Sequence, residues 1–124
     1  MDITPQLSDS VQVIQSYGDG GFTLSQQKVK GSVLVFPEHA EEWQVTDITK
    51  LTVADLEKVF KAEPAVEILL IGTGTKQVFI PESLRDAIRV GGMSVDVMDT
   101  GAACRTYNIL LSEDRRVAAA LIAV

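Results

Sequence analysis

Hydrophobic and polar positions change their spacing about a third of the way along the chain. Before that point, short apolar stretches such as "VQVIQSYG", which begins at Val11, Val13 and Ile14, alternate with polar residues. The cluster Gly-Asp-Gly-Gly at residues 18–21 accepts positive φ angles and predicts a hairpin, with a short strand at 22–24 after it. The β-branched run "GSVLVFP" at residues 31–37 has the length of a further strand. The first third is therefore predicted to be antiparallel β-structure.

The other two thirds alternates strand patterns with helical patterns. The strands are predicted at "VEILLIG", "MSVDVMD" and "RRVAAALIAV". A first helix follows a capping box made by Thr52 and Asp55, and the helical period places Val53, Leu56 and Phe60 on one face. Pro64 stops this helix.

Two more helices follow from the same period. Pro81 suits the first turn of the second helix, which Gly91-Gly92 ends, and its inward side chains are Leu84, Ala87 and Ile88. The third helix, "AACRTYNILL", has one apolar face, and Ile109 lies outside that face, so we expect this helix to be covered on more than one side. The face is formed by Ala103, Tyr107, Leu110 and Leu111.

Together these elements predict one α/β domain. Its central sheet is mixed and mostly parallel, an antiparallel hairpin layer precedes it, and about three helices cover it. The 124 residues fit a single domain over residues 10–124, after a polar tail at residues 1–9.

Composition excludes several classes of function. A net charge of -6 and a pI near 4.6 argue against nucleic acid as a partner, because phosphate repels an acidic surface. Cys104 is the only cysteine and His39 the only histidine, which excludes an internal disulfide, a cysteine-based zinc site and a multi-histidine metal site. No apolar run reaches the roughly 18 residues of a membrane span, and the first residues lack the pattern of a signal peptide. We therefore expect a cytoplasmic location.

A glycine-containing loop, "GTGT" at residues 72–75, follows one apolar strand. Gly72 and Gly74 fit the first two positions of a dinucleotide fingerprint, but Gln77 stands at the third and the segment after it is extended. No nucleotide cofactor is therefore expected. Two interpretations stay open: the glycines serve only to turn the backbone, or exposed Thr73 and Thr75 hydroxyls line a small pocket at the end of the strand.

A second candidate segment, "MDTGAACRTYN", joins a strand to the third helix. Asp99 or Thr100 is placed to cap that helix. Cys104 is either a small buried residue or a thiol whose pKa is lowered at the helix start. Arg105 and Asn108 lie opposite the apolar face, where they can meet a group outside the core.

The stretches "EILLIGTG", "VDVMDTGAACRTYNILLSEDRRVAAALI" and "GSVLVFP" together resemble the domain-of-unknown-function family 498, which has the Mth938-like fold. The resemblance covers residues 14–124 and is closest to the short bacterial members. It implies a small three-layer α/β domain. Its eukaryotic members include the mitochondrial complex I assembly factor 3, and bacterial members are often encoded beside protein-export genes.

Two functions remain after this comparison. The resemblance implies a non-catalytic assembly factor that binds a protein partner, such as another assembly factor or a subunit of a membrane-protein complex, at the periphery of a membrane. The alternative is an enzyme or binder of small anions that uses a pocket between the 72–75 loop and the 99–108 segment. The residues available for either role are Gly72, Thr73, Gly74, Thr75, Asp99, Thr100, Cys104, Arg105, Tyr107 and Asn108.

These residues include one carboxylate and one fixed cation, which suit the binding of an anion. They do not form a catalytic set, because no base is paired with a nucleophile, and no metal ligands are expected among them. His39 lies among carboxylates on a predicted exposed loop. Trp43 is expected either to cover the core or to serve as an exposed anchor for a partner.

Overall fold

A computed structural model describes Ile3 and residues 11–25 and 27–124. The predicted polar tail therefore lies outside the described residues, with the exception of Ile3. The backbone N–H of Ile3 donates to the carbonyl of Gln15 over 2.8 Å.

The first three strands form a small antiparallel sheet. Strands β1 (Ile14–Gly18) and β2 (Gly21–Leu24) are joined by the predicted hairpin, and β3 (Lys28–Lys30) pairs with β2. Asp19 and Gly20, at the centre of the turn, have φ angles of 54° and 78°. Two successive positive φ angles match the twist of the flanking strands, so the hairpin prediction is confirmed. Strand β1 begins at Ile14, three residues later than the alternating pattern suggested.

Five further strands form the central sheet, which is mixed as predicted. They are β4 (Val33–Val35), β5 (Ala40–Glu42), β6 (Ile68–Gly72), β7 (Ser94–Met98) and β8 (Val117–Leu121), in the spatial order β5-β4-β8-β6-β7. Strands β8, β6 and β7 are mutually parallel, and β4 joins β8 and β5 in antiparallel pairs. The last strand in the sequence, β8, therefore lies at the centre of the sheet.

Three α-helices accompany the sheet: α1 (Glu57–Phe60), α2 (Glu82–Val90) and α3 (Thr100–Ser112). Short 3₁₀ helices at Ile48–Lys50 and Val53–Leu56 precede α1. The predicted capping box is present, since the Asp55 carboxylate accepts from the Thr52 backbone N–H over 2.9 Å.

The prediction that Val53 shares one face with Leu56 and Phe60 is wrong, because Val53 is 46% exposed whereas Leu56 is completely buried. The segment starts as a 3₁₀ helix with three residues per turn, so its buried side chains are Leu56 and, in the α-helical turn, Val59. In α2, Leu84 and Ile88 are buried as predicted.

The side chains of β8 alternate between two cores. Ala118 and Ala120 face the core that α1, α2 and the 3₁₀ segment cover, whereas Val117, Ala119 and Leu121 face α3 and the small sheet. Helix α3 is consequently covered on two sides, by β6 and β8 and by β1. Ile109 nevertheless remains 58% exposed on the side that neither sheet reaches. The N-terminal end of α3, beside the end of β6, is where the two candidate segments meet.

Candidate functional site

The two candidate segments lie against each other at the carboxyl ends of β6 and β7. The backbone N–H of Thr100 donates to the Gly74 carbonyl over 2.8 Å, and the Gly74 N–H donates to the Thr100 hydroxyl over 2.9 Å. That hydroxyl in turn donates to the Ile122 carbonyl over 2.7 Å. One threonine therefore ties together the glycine loop, the start of α3 and the end of β8.

The approach of the glycine loop to α3 leaves no space for a side chain at Gly72. A β-carbon there would lie 2.9 Å from Cδ2 of Leu121 and 3.0 Å from both Cα and Oγ1 of Thr100. Gly74 has a φ angle of 110°, which L side chains rarely adopt. Both glycines thus permit close packing and a tight turn, which agrees with the simpler of the two interpretations of the loop.

The interpretation in which an exposed Thr73 hydroxyl lines a pocket is wrong. Thr73 is buried, and its hydroxyl donates to the Lys76 carbonyl over 2.6 Å and accepts from the Val78 N–H over 3.1 Å. The hydroxyl turns inward because the backbone polar groups of the 73–78 turn need partners that no regular element supplies. Thr75 is exposed, as predicted.

Asp99 caps α3, as its position before the helix predicted. Its carboxylate accepts from the Ala102 backbone N–H over 2.9 Å, which satisfies one of the donors that the first helical turn leaves without a partner.

Tyr107 and Asn108 join α3 to the N-terminal strand and its approach. The Tyr107 hydroxyl donates to the Gln12 carbonyl over 2.8 Å. The Asn108 side chain makes a pair of bonds with Ile14: its amide nitrogen donates to the carbonyl over 2.9 Å, and its oxygen accepts from the N–H over 3.0 Å. The expectation that Asn108 faces outward is therefore wrong. Its amide points inward because it pairs with the backbone N–H and C=O of Ile14 in β1.

Cys104 is a residue of α3, and its side chain is completely buried. Burial disfavours the thiolate and raises the pKa of Cys104 to about 12, although the neighbouring Arg105 charge opposes this shift. A lowered pKa is therefore excluded, and Cys104 acts as a small core residue.

Arg105 is exposed, and its guanidinium donates to the phenol oxygen of Tyr17 over 3.1 Å. Gly101 makes room for that phenol, since a β-carbon at Gly101 would lie 2.7 Å from the Tyr17 oxygen. The structure therefore places the Arg105 guanidinium beside the Tyr17 phenol of β1, with its charge accessible from outside.

Most of the candidate residues are engaged within the protein itself. Thr73 and Cys104 are buried, and Asp99 caps α3. Gly72, Gly74 and Thr100 are packed together, and Tyr107 and Asn108 are bonded to the N-terminal segment. Thr75 and Arg105 are the exposed candidates that a partner can reach. In the described part of the chain, no group of three or more histidine, cysteine, aspartate or glutamate side chains is arranged to hold a metal ion.

Trp43 covers the core, as one of the two interpretations held. It is 7% exposed, and its indole N–H donates to the Asp55 carbonyl over 2.8 Å. His39 is exposed, and its ring stacks on Phe36 with the centroids 4.5 Å apart.

One ion pair was not anticipated from the sequence. Arg116 forms two bonds with the carboxylate of Glu38, with nitrogen–oxygen distances of 2.5 and 3.2 Å, and a third with the Pro64 carbonyl over 3.2 Å. The bond to Arg116 lowers the pKa of Glu38. Arg116 is the second of two arginines that precede an apolar strand. This local sequence gives no signal that Arg116 pairs with Glu38, 78 positions away.

Similar proteins have a role in assembly or are described by their location in a membrane. The chain is 36% identical to NADH dehydrogenase (ubiquinone) 1 alpha subcomplex assembly factor 3 of Danio rerio, over 89% of this chain and 63% of that protein. The chain therefore spans less than two thirds of this relative. It is also 33% identical to the 13 kDa major membrane protein of Francisella tularensis, over 87% of this chain and 88% of that protein.

Solved structures share the same fold. A crystal structure described as an outer membrane protein from Bartonella henselae superposes with a TM-score of 0.84 at 39% identity, and covers 94% of this chain and 98% of its own. A Mth938-like domain from Bordetella pertussis gives a TM-score of 0.81 at 28% identity, over 98% of this chain and 92% of its own. The sequence model of a family described as a protein of unknown function (DUF498/DUF598) matches residues 14–122, and the chain belongs to this family.

Proposed function

We propose that this protein is a non-catalytic interaction factor that binds protein partners during the assembly of a respiratory or other membrane-protein complex. The observation that carries the proposal is the similarity to complex I assembly factors over 89% of the chain. A function in assembly needs a stable surface that a partner recognises, and the matched region includes the whole of the central sheet and α3.

The contacts at the candidate site favour this role over chemistry. The hydroxyls of Thr73, Thr100 and Tyr107 and the amide of Asn108 are bonded to backbone groups of the protein itself. Groups held in this way stabilise the fold and are not available to a substrate. This arrangement gives no support to the alternative of a small-anion pocket between the two segments.

Arg105 is the candidate residue that we assign to partner binding. It is exposed on α3, and Ile109, one turn further along, is also exposed, with an accessible fraction of 58%. A guanidinium beside an exposed apolar side chain offers a fixed cation and an apolar contact, and arginine is enriched where proteins bind each other.

We propose that the protein acts in the cytoplasm, at the periphery of a membrane. One relative is named as a major membrane protein, and an assembly factor of a membrane complex must reach its partner at the membrane. No helix in the described ranges is long and apolar enough to cross a bilayer.

The proposal is tested by affinity capture from the source organism after chemical crosslinking, with mass spectrometry of the captured proteins. We expect one defined partner, a subunit or assembly factor of a membrane complex, to be captured by the wild type. Arg105→Lys keeps the charge but loses the planar two-point contact, so it should melt like the wild type and retain less of that partner.

Arg115→Lys is the matched control, because Arg115 is also exposed but lies beyond the end of α3. Equal retention of the partner by both variants would refute the role of Arg105. A wild-type protein that is recovered without a specific partner, or with a stoichiometric small anion instead, would refute the assembly function.

A further inference from the structure

A groove of about 320 Å³ lies beside β5, the edge strand of the central sheet, and opposite the helical segment at residues 53–60. Its floor is apolar and consists of Leu34, Trp43 and Val45, whose side chains are 2%, 7% and 8% exposed. These side chains also belong to the core on that face of the sheet, so the floor is held in place by the fold.

The walls of this groove carry an excess of negative charge. Four carboxylates line it, those of Glu41, Glu42, Asp55 and Glu57, together with a single ammonium group, that of Lys58. The Lys58 ammonium lies 2.6 Å from the Glu41 carboxylate. Because Glu41 belongs to β5 and Lys58 to α1, this ion pair connects the two walls.

The carboxylates differ in how far they are already engaged. Asp55 is committed to the capping box of its own helix, and Glu57 pairs with Lys61 over 3.1 Å on the helix surface. Glu42 is exposed on the rim. A cation that enters the groove therefore meets Glu42 directly. It shares Glu57 with Lys61 and must displace Lys58 to reach Glu41.

We propose that this groove binds a segment of a partner protein in which lysine or arginine side chains stand beside apolar ones. The inference rests on the proposed function and specifies the chemistry of the partner. Apolar side chains of the segment would cover Leu34, Trp43 and Val45, and its cations would face the carboxylates. Membrane-protein subunits supply such segments, since their cytoplasmic loops are enriched in lysine and arginine next to apolar spans.

Trp43 provides a direct measurement, because it is the only tryptophan in the chain and lies in the groove floor. The probe is a tryptophan-free synthetic peptide in which lysines flank a stretch of leucine and alanine. We expect its titration to change Trp43 emission saturably. The matched peptide, with glutamate in place of each lysine, should leave the emission unchanged.

Variants separate the groove from the general negative charge of the protein. The double variant Glu42→Gln/Glu57→Gln should weaken binding of the lysine peptide by about twofold to fivefold for each carboxylate removed, the range that exposed ion pairs give. The control Asp96→Asn/Glu113→Gln removes two exposed carboxylates outside the groove and should leave the affinity unchanged.

Lys58 gives a test of opposite sign. Lys58→Ala removes the ammonium group that lies beside the Glu41 carboxylate, so the lysine peptide should bind about twofold to fivefold more tightly. Lys76→Ala makes the same change in net charge on an exposed loop away from the groove and should have no such effect.

Three results would overturn the inference, two of them from the peptide titrations. One is a peptide titration that leaves Trp43 emission unchanged. The other is an equal effect of groove and control variants, which would mean that only net charge attracts the peptide. In the affinity capture, a partner retained equally by the wild type and by Glu42→Gln/Glu57→Gln would overturn the groove but leave the proposed function standing.

Discussion

Asn108 is predicted to stabilise the fold and not to bind a ligand, and Asn108→Ala tests this assignment. The side chain forms two hydrogen bonds with the backbone of Ile14, whose side chain is completely buried. Alanine removes both bonds and leaves a backbone N–H and a backbone C=O inside the protein without partners. These bonds join α3 to β1 across 94 positions of sequence, so their loss also weakens the contact between two layers.

The expected destabilisation follows from the cost of an unsatisfied buried group. Each such group costs about 1–3 kcal/mol, and partial relaxation around the smaller side chain reduces the sum. We therefore expect Asn108→Ala to lower the free energy of unfolding by about 2–4 kcal/mol. The assay is equilibrium unfolding in urea followed by circular dichroism, with the midpoint and the slope both measured.

Ile109→Ala is the matched control, because it removes a larger side chain from the next position of α3, where it is 58% exposed. Its effect should stay within about 0.5 kcal/mol. A loss below about 0.5 kcal/mol for Asn108→Ala as well would refute the reasoning. If Asn108→Ala kept its stability but failed to retain a partner, Asn108 would be a binding residue instead.

Three further predictions concern the packing, the thiol and the ion pair. Gly72→Ala should destabilise the protein by about 1–3 kcal/mol in the same assay, because the new methyl group would overlap Leu121; wild-type stability would contradict the close packing. Cys104 should resist a thiol reagent at pH 8 in the native protein and react rapidly after unfolding in urea, since burial raises its pKa; rapid labelling of the native protein would contradict this. Because Arg116 lowers the folded-state pKa of Glu38, this pair stabilises the fold above the unfolded-state pKa of the carboxyl, and the contribution is lost as the pH falls through the lower folded-state pKa. The difference in unfolding midpoint between the wild type and Glu38→Gln should thus shrink on acidification, and a constant difference would contradict the pair.

Local signals in the sequence account for the elements that were predicted correctly. The hairpin depends on two adjacent residues with positive φ angles, and the capping box on residues three positions apart. Asp99 likewise caps a helix that begins at the next residue. In each case the interacting groups are neighbours in the chain, so their spacing is enough to predict the contact.

The errors arose where the partner of a side chain lies far along the chain, where an irregular turn bonds to one of its own side chains, or where helix geometry departs from the average. The amide of Asn108 was placed outside because helical spacing shows which residues share a face but not that β1 covers the opposite face. The Thr73 hydroxyl was expected outside because the sequence does not show that the backbone of the following turn donates to it. Val53 was grouped on one face with Leu56 and Phe60 because a 3.6-residue period was applied to a 3₁₀ segment.

The candidate site was only partly predictable for the same reason. Adjacent parallel strands bring their carboxyl ends to one edge of the sheet, and this rule correctly placed the glycine loop beside the start of α3. Whether the space between the glycine loop and α3 is open or filled depends on side chains of β8. One of these is Leu121, which is far from the glycine loop in the sequence but packs against Gly72. The acidic groove beside β5 combines residues 34–45 with residues 54–58 and has no local pattern.

The most direct test of the assembly function is the amount of assembled NADH dehydrogenase in membranes of the source organism, measured on native gels after deletion of the gene for this protein. We expect less assembled complex in the deletion strain, while the subunits of the complex are still synthesised. Wild-type protein should restore it, and Arg105→Lys should restore it less well than Arg115→Lys. Unchanged amounts of this and the other membrane complexes in the deletion strain would contradict the account.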